Sequence, residues 1–291
     1  MPSTSPNPLR LALPKGRMQA GVLRLLDEAG LAVTPSARSY RPTVSLSGIE
    51  AKLLKPQNII EMLAAGSRDI GFAGADWVTE LEAEVVELVD TDLDPVTLVA
   101  AAPSSLLDAS GALPQRALVV ASEYPRLAAS WIRGRELDAR FVRSYGATEV
   151  FPPEDADVII DNSATGETLR ANGLEVLDVL ARSSTRLLAS PAALDDPGRR
   201  SRIEDLQLLL DSVLAARQRV LVEVNAPSDR LEAIVALLPS MRQPTVSPLF
   251  GEAGHAVKAA VPRRRLPEIV PALKAAGATD VVVSTPSQIV P

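Results

Sequence analysis

The first ordered pattern in the chain is Leu9 to Pro14, LRLALP, a short apolar run closed by proline, which predicts a buried strand. In the next segment Met18, Val22, Leu25 and Leu26 recur at three- and four-residue spacing. That is the period of a helix with one buried face, and Gly30 is placed to end it. Strand, glycine turn, helix is the opening of an α/β unit. The same reasoning predicts a helix over 57–65, a strand over 69–73, a helical turn over 77–81 and two strands over 85–89 and 96–102, the last ended by Pro103. A Ser-, Asp-, Gly- and Pro-rich loop runs to Pro114. The alternation then restarts, with a strand over 117–121, a helix over 124–134 and strands over 139–142 and 157–160. Segments 167–172 and 176–180 flank a bend. Strands near 96–102 and 183–189 are expected as hinges between two α/β lobes. A charged, then leucine-rich, helix covers 198–216.

After that helix the character changes. VLVEV at 220–224 is a strand and 227–238 a helix. Two strands, 246–249 and 256–261, flank a GEAG turn, and a helix over 266–276 and a strand over 281–284 follow. The order β-α-β-β-α-β predicts a small ferredoxin-like domain. From Leu214 onward there are nine Lys and Arg against six Asp and Glu, a charge of +3, which leaves −9 for the rest of a chain whose total is −6. The reversal of sign supports a separate module.

Composition removes whole classes of chemistry. The 291 residues include no cysteine and one histidine. Disulfide scaffolds, thiolate nucleophiles, Cys-ligated zinc and multi-histidine metal sites are therefore excluded. The acidic balance offers no general attraction to nucleic acid. No stretch reaches the 18 apolar residues that a membrane helix needs, and MPSTSPNP lacks the features of a secretory signal. The expectation is a cytoplasmic protein without nucleic-acid or membrane partners.

Three stretches between strands and helices carry candidate chemistry. In DVIIDNSATGETL, Asp157 to Leu169, an apolar strand ends in Asp161, a small polar turn runs from Asn162 to Gly166, and Glu167 starts a helix. Such a turn gathers backbone N–H groups that favour a phosphate. Ser163, Thr165 and Thr168 add hydroxyls, and Asp161 stands where it can accept from two ribose hydroxyls. An ordinary βα loop with a threonine cap fits the same residues. In LPKGR, Lys15 and Arg17 sit at a helix N-terminus, where cations oppose the dipole; a bound anion would compensate them. In DIGFAGADW, Asp76 either caps a helix or holds a substrate. Glu149, Asp155 and Asp157 are further acids near the same region. His255, Trp77 and Trp131 are expected to be structural, and Arg263 to Arg265 a solvated edge.

Taken together, LPKGR at 13–17, DIGFAGADW at 69–77, ASEYPRLA at 121–128 and YGATEVFPPEDADVIIDNSATGETLRANGL at 145–174 resemble ATP phosphoribosyltransferase, the enzyme family that opens histidine biosynthesis. NAPSDRLEAIVALLP at 225–239, PTVSPLFGE at 244–252 and LKAAGATDVVVSTPSQIV at 273–290 resemble the extra C-terminal domain of that family's long form. The resemblance implies an α/β core of two lobes, built like a periplasmic binding protein, and an ACT-like third domain that binds histidine as feedback inhibitor. It implies lobe I over 1–100 and 183–213, lobe II over 101–182 and the regulatory domain over 214–291. It also implies a homo-oligomer, dimer or hexamer.

The reaction implied joins N1 of ATP to C1 of phosphoribosyl pyrophosphate and releases pyrophosphate, with Mg²⁺ carried mainly by substrate phosphates. On that basis Asp161 holds the ribose hydroxyls, and Ser163, Ala164, Thr165, Gly166, Glu167 and Thr168 cradle the 5-phosphate. Lys15 and Arg17 lie near pyrophosphate and ATP. Lys55, Asp76 and Glu149 complete the substrate-binding set, and the protein ligands of any metal are left open. Lys55 stands where the family motif usually has Arg, and Asn58 where it usually has Asp. A second reading keeps the two lobes without turnover, as a sensor of a phosphosugar or an amino acid.

Overall fold

The computed structural model describes residues 8–36, 39–252 and 254–290. They form two compact units, one of residues up to 24 together with 32–203, the other of 25–31 together with 204–290.

In chain order the elements begin with β1 (Leu9–Pro14), α1 (Arg17–Glu28, of which 25–28 belong to the second unit), β2 (Val33–Ser36), β3 (Ser39–Val44) and β4 (Ile49–Leu54). They continue with α2 (Pro56–Ala64), β5 (Ile70–Gly74), α3 (Ala75–Leu81) and the long β6 (Val86–Pro103). After these come β7 (Leu118–Ser122), α4 (Pro125–Gly134), β8 (Ala139–Arg143), β9 (Val158–Ser163) and α5 (Glu167–Ala171). The long β10 (Leu174–Ala189), α6 (Pro191–Asp195) and α7 (Pro197–Arg217) follow, α7 passing into the second unit at residue 204.

Eight strands make one mixed sheet in the order β4-β1-β5-β10-β6-β9-β7-β8. Its two wings, β4-β1-β5 and β9-β7-β8, are internally parallel, and the antiparallel pair β6–β10 joins them. The expected two-lobed α/β plan is present. Inner strands read as unbroken apolar runs because helices cover both faces. Val158, Ile159 and Ile160 of β9 are all fully buried.

Three elements differ from the sequence pattern. Segments 85–89 and 96–102 are one strand, β6, because its polar middle is a set of bulges. There Asp92 and Asp94 adopt left-handed φ of 58° and 48°. Their neighbours are tied down by side chains. Asp90 accepts from the Asp92 N–H and the Ser184 hydroxyl, and the Thr91 hydroxyl donates to the Thr185 carbonyl. The bend expected near 172–176 is followed directly by the single strand β10 rather than a separate one. Strands β2, β3 and β4 were not foreseen. Pro35 and Pro42 interrupt the first two, and the alternation in β4 mixes Glu50 and Lys52 into an edge strand.

The second unit contains β11 (Arg219–Ala226), α8 (Leu231–Ala236), β12 (Thr245–Pro248), β13 (His255–Pro262), α9 (Leu266–Ala275) and β14 (Thr279–Ser284). Its antiparallel sheet has the order β12-β13-β11-β14. Element order and strand order together are ferredoxin-like, as the sequence predicted. Strict alternation in β11 buries Val220, Val222, Val224 and Ala226 against Ile234, Ile269 and Leu273 of the two helices.

Candidate active site

Strand β9 positions the site. It continues past Asp161 to Ser163, pairing Asp161, Asn162 and Ser163 with Val99, Leu98 and Thr97 of β6. The turn is thus shorter than the sequence suggested, and Asp161 is held by sheet hydrogen bonds. Gly166 caps α5 at a φ of 74°, a conformation that a side chain would strain. Its N–H donates to the Ser163 hydroxyl at 3.1 Å, and the Glu167 N–H donates to the Thr165 hydroxyl at 3.4 Å. Arg170 donates to the Thr165 carbonyl and braces the turn from behind.

Around this turn lies a pocket of about 270 Å³. Arg17, Glu149, Asp161, Asn162, Leu169 and the whole run Ser163 to Thr168 line it. Arg17 comes from the start of α1, more than a hundred residues away in sequence. Nine of the twelve sequence-predicted site residues meet here: Arg17, Glu149, Asp161, Ser163, Ala164, Thr165, Gly166, Glu167 and Thr168.

Asp161 is electrostatically frustrated. Burial, chiefly, raises its carboxyl from the ordinary 3.8 to about 6, and the charges of Glu149 and Glu123 push the same way. The Asn162 N–H and the Thr148 hydroxyl donate to it and oppose the rise. Glu123 is itself raised by burial, while the nearby charges of Lys55 and Arg143 pull it down. Lys55, at the N-cap of α2, is thus near enough to Glu123 for its charge to act on it.

The other predicted residues stand outside the pocket lining. The Lys15 ammonium lies over the Tyr40 ring, 3.1 Å from its centroid. Asp76 is 5% exposed and its carboxylate is satisfied within the protein. One oxygen accepts from Tyr124 Oη at 2.6 Å, the other from Ser183 Oγ at 2.6 Å. Gly74 makes room for this, since a Cβ there would fall 2.2 Å from Asp76 Oδ1. Tyr124 Oη also accepts from Asn162 Nδ2 at 3.1 Å, which ties Asp76 to the residue beside Asp161. Burial, then the charge of Asp76, raises the Tyr124 phenol above its usual value.

Asp157 is not at the site. It lies at the start of β9, where it accepts from Arg116 and from the Val119 N–H and fastens β7 to β9. Trp77 is buried and stacks on Tyr124 at 4.5 Å, and Trp131 donates to Asp178, so both are structural as expected. Sequence reasoning did not assign Glu123, Tyr124, Thr148 or Asn162. All four sit inside the quoted motifs, Glu123 and Tyr124 in ASEYPRLA and Thr148 and Asn162 in the 145–174 stretch, and that membership was the available signal.

A family model of ATP phosphoribosyltransferase matches residues 55–212, and one of its C-terminal domain matches 216–286. The ATP phosphoribosyltransferase of Pelotomaculum thermopropionicum is 37% identical over 97% of this chain and 99% of its own length. The Desulforudis audaxviator enzyme is 35% identical over 97% and 99%. The solved ATP phosphoribosyl transferase HisG:HisZ complex from Thermotoga maritima contains a chain 24% identical to this one. It aligns with a TM-score of 0.61, covering 70% of this chain and 98% of that one, and so shares the fold. A pocket assembled from the motif residues, in a chain matched end to end by such relatives, leads to one conclusion: the chain belongs to the ATP phosphoribosyltransferase family, in its long form.

Proposed function

We propose that the β9–α5 pocket seats phosphoribosyl pyrophosphate for the family reaction, in which N1 of ATP displaces pyrophosphate at C1 of the ribose. The observation that carries this is the convergence of Arg17, Glu149, Asp161 and the 163–168 turn on one pocket. Asp161 accepts the two ribose hydroxyls. Its raised proton affinity marks a carboxylate with too few donors, and two hydroxyls supply them. The Ser163 to Thr168 turn receives the 5-phosphate through hydroxyl and backbone donors. Arg17 faces the pyrophosphate, with Lys15 and Lys55 adding positive charge around the leaving group and the nucleotide. Asp76 acts through Tyr124 and Asn162 as a positioning residue.

No side chain needs to become covalently attached. The chemistry is placement of two substrates and electrostatic help to a departing anion. Mg²⁺ fits the donor set, since Glu149 and Asp161 offer carboxylate oxygens whose mutual repulsion a cation relieves. Among the described residues no cluster of three or more His, Cys, Asp or Glu side chains is arranged to hold a metal ion. When bound, Mg²⁺ neutralises charge on the pyrophosphate.

Residues 1–100 with 183–213, and 101–182, serve as the two catalytic lobes, and 214–291 as the regulatory domain that binds histidine between neighbouring copies of a dimer or hexamer. Val246, Phe250, Val282 and Val283 support such contacts, being exposed apolar side chains on one small unit. No helix among the described residues is long and apolar enough to cross a membrane. The reaction is assigned to the cytoplasm.

The test is product formation from ATP, phosphoribosyl pyrophosphate and Mg²⁺, read by mass spectrometry with and without histidine. A phosphoribosyl-ATP mass that fades with histidine is expected. Binding of both substrates without product would favour a sensor.

A further inference from the structure

The second unit carries a cavity of about 560 Å³ that the family reaction does not use. Arg217, Gln218, Arg219, Pro262, Arg263 and Arg264 line it, so among the described residues its lining holds four arginines and no acidic residue. We infer that this cavity is a binding site for the polyphosphate group of a small molecule.

The cavity lies where β11 begins and β13 ends. Arg219 pairs with Pro262 in register, and the Arg263 N–H donates to the Gln218 carbonyl at 2.9 Å, closing that end of the sheet. Two of the guanidiniums are braced. Arg217 donates twice to Glu28, at 2.9 and 3.1 Å, and Arg263 donates to the Thr285 hydroxyl at 3.2 Å. Among the described residues, no hydrogen bond or ion pair engages the side chains of Arg219 and Arg264.

Even with Glu28 counted, the lining holds an excess of three positive charges, on a protein whose total charge is −6. Four cations gathered in a concavity repel one another and concentrate their field, and an anion relieves both effects. Guanidinium forks match phosphate oxygens two at a time. The volume falls within the range of about 300–1,000 Å³ found for small-molecule sites. One phosphate would leave most of it empty, whereas a phosphate chain spans several forks.

The experiment is calorimetric titration of the full chain with inorganic pyrophosphate and, separately, with ATP. Wild type should show two classes of pyrophosphate site, one of them in the catalytic pocket. Arg264→Glu, an exposed position, should weaken the second class by about tenfold or more, the effect of losing a charge-assisted contact. It should leave kcat and KM for turnover unchanged, and Arg219→Gln should act the same way. Arg242→Glu makes an equal charge change outside the cavity and should leave the second class intact. ATP binding the second class more tightly than pyrophosphate would mean that the nucleoside is recognised too. Equal affinities would mean that the phosphate chain alone is read. A single class in wild type would overturn the inference. So would isotherms unaltered in both cavity variants, or weakened equally by Arg242→Glu.

Discussion

Strands β5 and β9 each lead into a helix past an acid: Asp76 in the first turn of α3, and Asp161 within β9 itself. The two stretches use the same parts, an apolar strand, an acid, small residues and a helix, with the acid after the small residues at Asp76 and before them at Asp161. In the structure they are opposites. Asp76 is buried and has a hydroxyl donor on each oxygen, from Tyr124 and Ser183. Asp161 faces a pocket, is crowded by Glu149 and Glu123, and is raised to about 6. An acid satisfied by its own protein is part of the framework. An acid held among like charges, with open space before it, is waiting for donors or a cation from outside. The contrast separates two motifs that spacing alone treats equally.

The comparison breaks most visibly if Asp76 is removed. Asp76→Ala leaves the Tyr124 and Ser183 hydroxyls without their acceptor in a buried site. The expected loss is about 3 kcal/mol of stability, measured by denaturant unfolding, from unsatisfied donors of about 1–3 kcal/mol each. A loss below about 1 kcal/mol would mean that the network is incidental.

Asp161 should behave with the opposite sign. Its folded value, about 6, lies above the ordinary 3.8. Below pH 3.8 the carboxyl is protonated in both folded and unfolded chains and has no effect. Between 3.8 and about 6 the unfolded chain gives up the proton first, so folded stability declines, and above about 6 the penalty is complete. Asp161→Asn should therefore raise the Tm at pH 8, by about 2–4 °C for each kcal/mol relieved, and give no gain at pH 3.5. For wild-type turnover, kcat/KM for phosphoribosyl pyrophosphate should fall as pH drops through about 6, because only the carboxylate accepts both hydroxyls.

Much of this was legible in the residues. The helical period of Met18, Val22, Leu25 and Leu26, the β-α-β-β-α-β order of the tail and the polar turn after Asp161 all correspond to observed elements. What escaped was long-range. Edge strand β4 is defined by pairing Ile49 with Leu9 and Leu54 with Pro14, which no local pattern announces. The acids of β6 fall between the two strands expected at 85–89 and 96–102, because bulges put charged residues where alternation expects apolar ones. Asp157 looked like a site acid because it is four residues from Asp161, yet four residues of strand carry it to the other end of β9. Glu123 and Asn162 gained their roles only when β7 and β9 came together in the sheet.

The most direct measurement is the equilibrium affinity of Asp161→Ala for phosphoribosyl pyrophosphate, by calorimetry beside wild type. Two charge-assisted hydrogen bonds to the ribose hydroxyls are worth about 1.5–3 kcal/mol each. The variant should bind on the order of a hundredfold more weakly or worse, while its Tm stays at or above that of wild type. Unchanged affinity in a folded variant would contradict the assignment of this pocket to the ribose and its phosphates.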